Sequence, residues 1–270
     1  MFLVNQQFKW FIGLLSLLFF AILNNLEAQE LPLTSAQEVV DRYMQAIGGR
    51  DRWESLNSRK TREKYDIYES TIVSESIDRT LDYTKYFKAP NSYLDVWFEN
   101  LFYSVYASNS DCVWFYSDKG VYILFLNKKY LKVPAKLPKL GILEVIGLPM
   151  VDNVTVEDGM FRVDFEDETW GRTISVYFDR ESFLVRKHSY SNDGKDMHEY
   201  YYKDYRNKNG FLEPYLIENF VNYTKFKVTT IEEVIYNVDI DPTIFQSPLP
   251  CPLDGEINSI KLENNLPYIY

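Results

Sequence analysis

His188 and His198 are the only histidines in the chain, and they flank the turn-forming triplet Asn192-Asp193-Gly194. A two-residue Asp193-Gly194 turn pairs His188 with Glu199, which sends the two imidazoles to opposite faces of a hairpin, whereas a three-residue turn pairs the two histidines directly. No third ligand follows nearby, so the spacing argues against a zinc site. Asp164, Glu166, Asp167 and Glu168 gather carboxylates, the groups that glycoside hydrolysis uses in pairs. Asp164 and Glu166 alternate with Val163 and Phe165, however, as on a strand with one solvated face. No glycine-rich phosphate loop, nucleophile elbow or HExxH motif is present. Asn153-Val154-Thr155 and Asn222-Tyr223-Thr224 match the glycosylation acceptor pattern. The two cysteines, Cys112 and Cys251, leave two readings open: a disulfide pinning the tail to the sheet, or two unpaired thiols. With no catalytic constellation and no cofactor motif, the residues point to binding rather than to an enzyme.

The composition is that of a folded chain: 46% hydrophobic and 25% charged over 270 residues, which excludes a disordered or low-complexity protein. A formal net charge of -10 removes the basic surface that nucleic-acid binding needs, and anionic membranes would repel it. At the N-terminus Lys9 precedes an apolar run from Trp10 to Leu23, followed by Asn24-Asn25 and small Ala28. The run is shorter than the roughly 20 residues that span a bilayer core. Residues 1–28 read as a secretory signal peptide cleaved near Ala28, with Gln29 as the new N-terminus, the alternative being an uncleaved anchor. The expected product is exported, soluble, monomeric and without stable membrane insertion.

Ser35 opens a capping box with Glu38, and Val39, Val40, Tyr43, Met44 and Ile47 recur at helical spacing before Gly48-Gly49. A second helical turn over Asp51 to Leu56 carries Trp53 back onto the core. From Arg59 the period changes to two. Leu94, Val96 and Phe98 alternate with Tyr93, Asp95 and Trp97, and Val113 and Phe115 with Trp114 and Tyr116. Turn signals at Ser117-Asp118-Lys119-Gly120, Glu157-Asp158-Gly159, Asn192-Asp193-Gly194 and Asn207-Lys208-Asn209-Gly210 divide further strands. Without helical crossovers these strands form an antiparallel sheet, read here as one meander of roughly ten strands that curls rather than lying flat. Between Pro134 and Pro149 an apolar stretch breaks the rhythm, and Leu140, Leu143 and Ile146 fit a short amphipathic helix. It serves either as a cover or as a plug at one end of the sheet.

The order of these pieces resembles the LolA-like outer-membrane lipoprotein carrier (lipoprotein-sorting) superfamily, particularly its Bacteroidetes-type variants. The resemblance rests on the segment Glu38 to Gly49, on Tyr86-Phe87-Lys88-Ala89-Pro90-Asn91, and on Val176 to Lys187. It continues through Tyr202-Lys203-Asp204-Tyr205-Arg206 and Thr230 to Asp241, and covers roughly residues 36 to 248. It implies an α+β, mainly β fold: a large curved antiparallel sheet, an open half-barrel, with N-terminal helices and a helical loop covering the concave face. Residues 29–248 then form a single lipid-binding domain and residues 249–270 a C-terminal tail. It further implies a periplasmic protein that holds a lipid or the acyl chain of a lipoprotein and works with an envelope membrane protein. Lipoprotein carriers place an Arg in a Pro-x-x-x-Arg pattern that helps hold the lid; here Leu94 stands after Pro90.

The expected apolar cavity is lined by Leu94, Val96 and Phe98, by Phe115, Val163 and Phe165 on other strands, and by Leu140, Leu143 and Ile146 from the cover. No metal or cofactor is expected. A rival reading from another class keeps the fold but makes the protein an envelope sensor or protein-interaction module with no transported cargo.

Overall fold

The period-two pattern that begins at Arg59 becomes one antiparallel sheet of fourteen strands, more than the ten or so expected from the turn signals. The computed structural model describes residues 35–71, 74–89, 92–99, 102–108, 113–117, 122–126, 141–168, 170–192, 194–246 and 259–261. The expected signal peptide, Cys112, Leu140 and Cys251 lie outside the described residues.

The sheet is two meanders, not one. The first comprises β1 (Ser58–Thr71), β2 (Ser74–Lys88), β3 (Ser92–Glu99), β4 (Phe102–Ser108), β5 (Val113–Ser117) and β6 (Tyr122–Leu126). The second comprises β7 (Met150–Glu157), β8 (Met160–Asp167), β9 (Arg172–Asp179), β10 (Val185–Asn192), β11 (Asp196–Lys208), β12 (Phe211–Val221) and β13 (Thr224–Tyr236). They join where β1 pairs with β13, from Arg59 opposite Tyr236 to Ile67 opposite Lys227. Three residues of the tail, β14 (Ser259–Lys261), add beside β6 at one edge, and β7 forms the other. The sheet is therefore open, not closed into a barrel.

Turn chemistry sets the hairpins. Asp158 and Gly159, and likewise Asn209 and Gly210, take the left-handed backbone conformation that tight hairpin turns require. At the β10–β11 turn the register is neither of the two expected. Asn192 pairs with Asp196, so His188 faces Tyr200 and Tyr190 faces His198. That pairing puts both histidines on the same face.

The head of the domain is helical. In α1 (Ala36–Ala46) the Ser35 side chain accepts from the Glu38 backbone N–H at 3.2 Å, as its capping signature predicts. Ser35→Ala should cost about 1 kcal/mol in a urea melt, and no change would mean the cap is idle. Val39, Val40, Tyr43 and Met44 are all buried, and Tyr43 meets Phe178 of β9 edge-on at 5.6 Å. In α2 (Arg50–Glu54), Trp53 packs edge-on against the stacked rings of Phe211 and Tyr236, its indole N–H donating to the Ile47 carbonyl at 3.1 Å. Gly48 has a positive φ and packs against the Gly210 carbonyl; any Cβ would collide there. The face covered by these helices is the inner face.

A separate cluster sits on the outer face. Leu94, Val105, Ala107 and Trp114 pack against Ile240 and Phe245, the latter in a short 3-10 turn (Pro242–Phe245). Lys88 Nζ and Ser58 Oγ hold this return segment by donating to the Ile240 and Val238 carbonyls, each at 2.5 Å.

Candidate functional site: a charged, tyrosine-lined cavity

Alternation along β1 places Arg59, Thr61, Glu63 and Tyr65 on the inner face, where all are buried. Pairing carries the polar character sideways. Lys85 of β2 lies opposite Thr61, and Asp95 of β3 lies opposite Lys85. On the other side Thr229 of β13 lies opposite Tyr65, and Asn219 of β12 opposite Lys227. Above them stands α3 (Ile142–Ile146), whose Ile142, Leu143 and Ile146 are buried. Sheet and helix enclose a cavity of about 630 Å³.

Its charges are largely compensated. Arg59 meets Glu213 at 2.6 Å, Lys85 meets Glu63 at 3.0 Å, and Arg172 meets Asp167 at 3.1 Å. The Tyr236 hydroxyl also donates to Glu213, and the Tyr65 hydroxyl donates to Glu63 at 3.0 Å. Burial pushes the Glu63 carboxyl up, but Lys85 and Arg59 outweigh it and hold the group below the ordinary carboxylate range. Asp95 has a Tyr93 hydroxyl at 2.9 Å and one buried oxygen without a partner. Burial, only partly offset by Lys85, pushes it up to about 6.

Opposite this floor is an aromatic wall. His188 stacks on Tyr200 at 4.4 Å with a 6° interplanar angle, and its Nδ1 lies 2.7 Å from the Tyr202 hydroxyl. Burial, aided by Arg172, holds its imidazole down at about 3, so it is neutral. Arg172 in turn lies 3.9 Å over the Tyr190 ring. Among the described residues no group of three His, Cys, Asp or Glu side chains is arranged to hold a metal.

The residues expected from the sequence are redistributed. Leu143 lines the cavity. Ile146 is buried in the same helix but does not border the space. Val163 and Phe165 are on the inner face but fully buried as core. Phe115 shares the inner face with Trp97, 5.8 Å away, without bordering the cavity. Leu94 and Val96 lie on the outer face against the return segment, and Phe98 on that face is exposed. The inner face of β3 instead carries Tyr93, Asp95 and Trp97. The physical reason is that β3 is covered on both sides, and its outer apolar row is matched by Ile240 and Phe245. Leu94, which follows Pro90, thus serves the outer cluster. In the acidic run Asp164 pairs with Arg162 on the outer face at 2.9 Å, while Asp167 turns inward to Arg172.

The signal for the missed residues was present: Arg59, Thr61 and Glu63 recur with period two. Lys60, Arg62 and Lys64 interleave with them, so hydropathy shows no contrast between the faces.

No family model matches the sequence, and no curated protein matches it. Among solved structures, the chain is similar to a LolA superfamily protein from Nitrosomonas europaea, with a TM-score of 0.54 and 12% identity. That likeness covers 79% of this chain and 98% of the other. It is also similar to a DUF1329 family protein from Desulfovibrio piger, with a TM-score of 0.55 and 11% identity over 78% and 96% of the two chains. The chain has a LolA-like fold: mainly β, one open antiparallel sheet, few helices.

Proposed function

We propose that this protein is an exported, non-enzymatic binding protein that carries a lipid or acylated ligand between the inner face of its sheet and α3. The observation that supports this most directly is the cavity of about 630 Å³ beneath a helix on an open sheet. Its volume lies within the range of single-ligand sites, which favours one single-chain amphiphile over a multiply acylated lipoprotein anchor. Ile142, Leu143, Ile217 and Ile231 supply apolar wall for the chain. Each methylene buried there contributes roughly 0.8 kcal/mol. The tyrosines present ring faces to the chain and hydroxyls to polar atoms. In this reading residues 1–28 are removed on export, residues 29–248 are the binding domain, the ligand is met in the periplasm, and handover involves an envelope membrane protein.

The test is native mass spectrometry of residues 29–270 purified from a bacterial periplasm, followed by extraction and identification of bound lipid. A stoichiometric adduct is expected. Leu143→Asp places a charge in the apolar wall and should lower occupancy about tenfold or more while the domain still melts cooperatively. A bare protein mass that does not shift when single-chain amphiphiles are added would overturn the reading.

A further inference from the structure

Four cationic side chains line the cavity, and three of them are answered by carboxylates: Arg59 by Glu213, Lys85 by Glu63 and Arg172 by Asp167. Lys227 is the fourth. No carboxylate among the described residues forms an ion pair with it, and its Nζ sits 4.3 Å from the centroid of the Tyr65 ring. A half-buried ammonium facing an aromatic ring retains some cation–π attraction but lacks the charge-assisted hydrogen bond that a carboxylate or phosphate would supply. The residues beside it suit a head group with a tail. Asn219 lies directly opposite on β12, and Thr229 and Ile217 continue the same inner rows toward Ile231 and α3.

We propose that Lys227 is the anchoring cation for the acidic head group, a carboxylate or a phosphate, of an amphiphile whose chain lies along Ile217, Ile231, Ile142 and Leu143. This rests on the cavity reading above and narrows it to anionic single-chain ligands. The unliganded site carries the cost of the unpaired charge: burial, with Lys85 nearby, holds Lys227 down to about 8. An entering anion removes that cost, and the preference for an acid over an uncharged molecule of equal chain length follows from it.

The groups around Lys227 are Glu63 and Tyr65 on β1, Lys85 on β2 and Asp95 on β3, and Glu144 of α3 borders the same cavity. Asp95 titrates near 6, so measurements from about pH 7 upward keep it ionised and isolate Lys227. Anion affinity should then fall as pH rises through about 8, where the free protein loses the Lys227 proton.

The experiment is calorimetric titration of delipidated protein with dodecanoate, dodecyl phosphate, monolaurin, dodecylamine and inorganic phosphate. Expected is at least about tenfold tighter binding of the two acids than of monolaurin, and weaker binding of the amine. Lys227→Gln should abolish the preference, lowering affinity for the two acids at least about tenfold more than affinity for monolaurin, and Lys227→Arg should keep it. Thermal melts of both variants confirm folding. Equal affinities for all four amphiphiles would overturn this inference and leave the cavity reading standing. Binding of none would remove both. Inorganic phosphate binding as tightly as dodecyl phosphate would also overturn it, by making the site one for a free anion.

Discussion

Acidification from pH 6.5 to 3 should remove about 4–5 kcal/mol of stability through His188 alone, a little over 1 kcal/mol for each pH unit. The imidazole is 7% exposed, stacked on Tyr200 and hydrogen-bonded to Tyr202, with the Arg172 cation nearby. Its folded-state pKa is depressed, so unfolding takes up a proton whenever the pH lies below the ordinary value of 6.5. The stabilisation is complete above that value and is lost progressively as pH falls toward about 3. Urea melts at intervals across this range measure it. His188→Phe keeps the stack, removes the titration and should flatten the profile by that amount. A variant as acid-labile as the parent would show that His188 is solvated in solution.

Replacing Glu213 with Leu should destabilise the protein by about 3–5 kcal/mol, because it leaves Arg59 charged and buried without its partner. Arg59 is 6% exposed and Glu213 9%, the two are 2.6 Å apart, and Tyr236 donates to the same carboxylate. The Arg59 Nε already lacks a partner, so little is available to take up the lost hydrogen bond. The double variant Arg59→Met, Glu213→Leu removes both charges and should recover most of the loss. That comparison separates desolvation of an orphaned cation from loss of packing. A single-variant cost below about 1 kcal/mol, the range of exposed pairs, would mean that water reaches Arg59.

The parts of the fold that depend on neighbours in sequence could be read directly. Ser35 with Glu38, the helical spacing from Val39 to Ile47, and the Asp158-Gly159 and Asn209-Gly210 turns each act within a few residues, and each forms as its pattern requires. The assignment of faces could not be read. In β3 the apolar set Leu94, Val96 and Phe98 drew the inner face to itself, because alternation identifies two faces without saying which is covered by what. Deciding that needs Phe245 and Ile240, which arrive from the far end of the chain. The same holds for the cavity. Glu63 finds Lys85 on the next strand, but Arg59 finds Glu213, 154 residues away, and neither residue type announces its partner. At the β10–β11 turn a difference of one loop residue moved His198 onto the face of His188.

The seam between β1 and β13 has a kinetic meaning. Within each meander nearly every contact is made to the adjacent hairpin, so either half can zip up from local turns with little loss of chain entropy. The seam brings together residues from the two ends of the domain, such as Arg59 and Tyr236. Until it closes, β1 and β13 are both open edges, and the floor of the cavity, contributed half by each, does not exist. Productive assembly therefore ends with the binding site: a chain arrested one step short would present two unpaired strands and no place for a ligand, and a ligand that spans the seam acts as a clamp on the last step of folding.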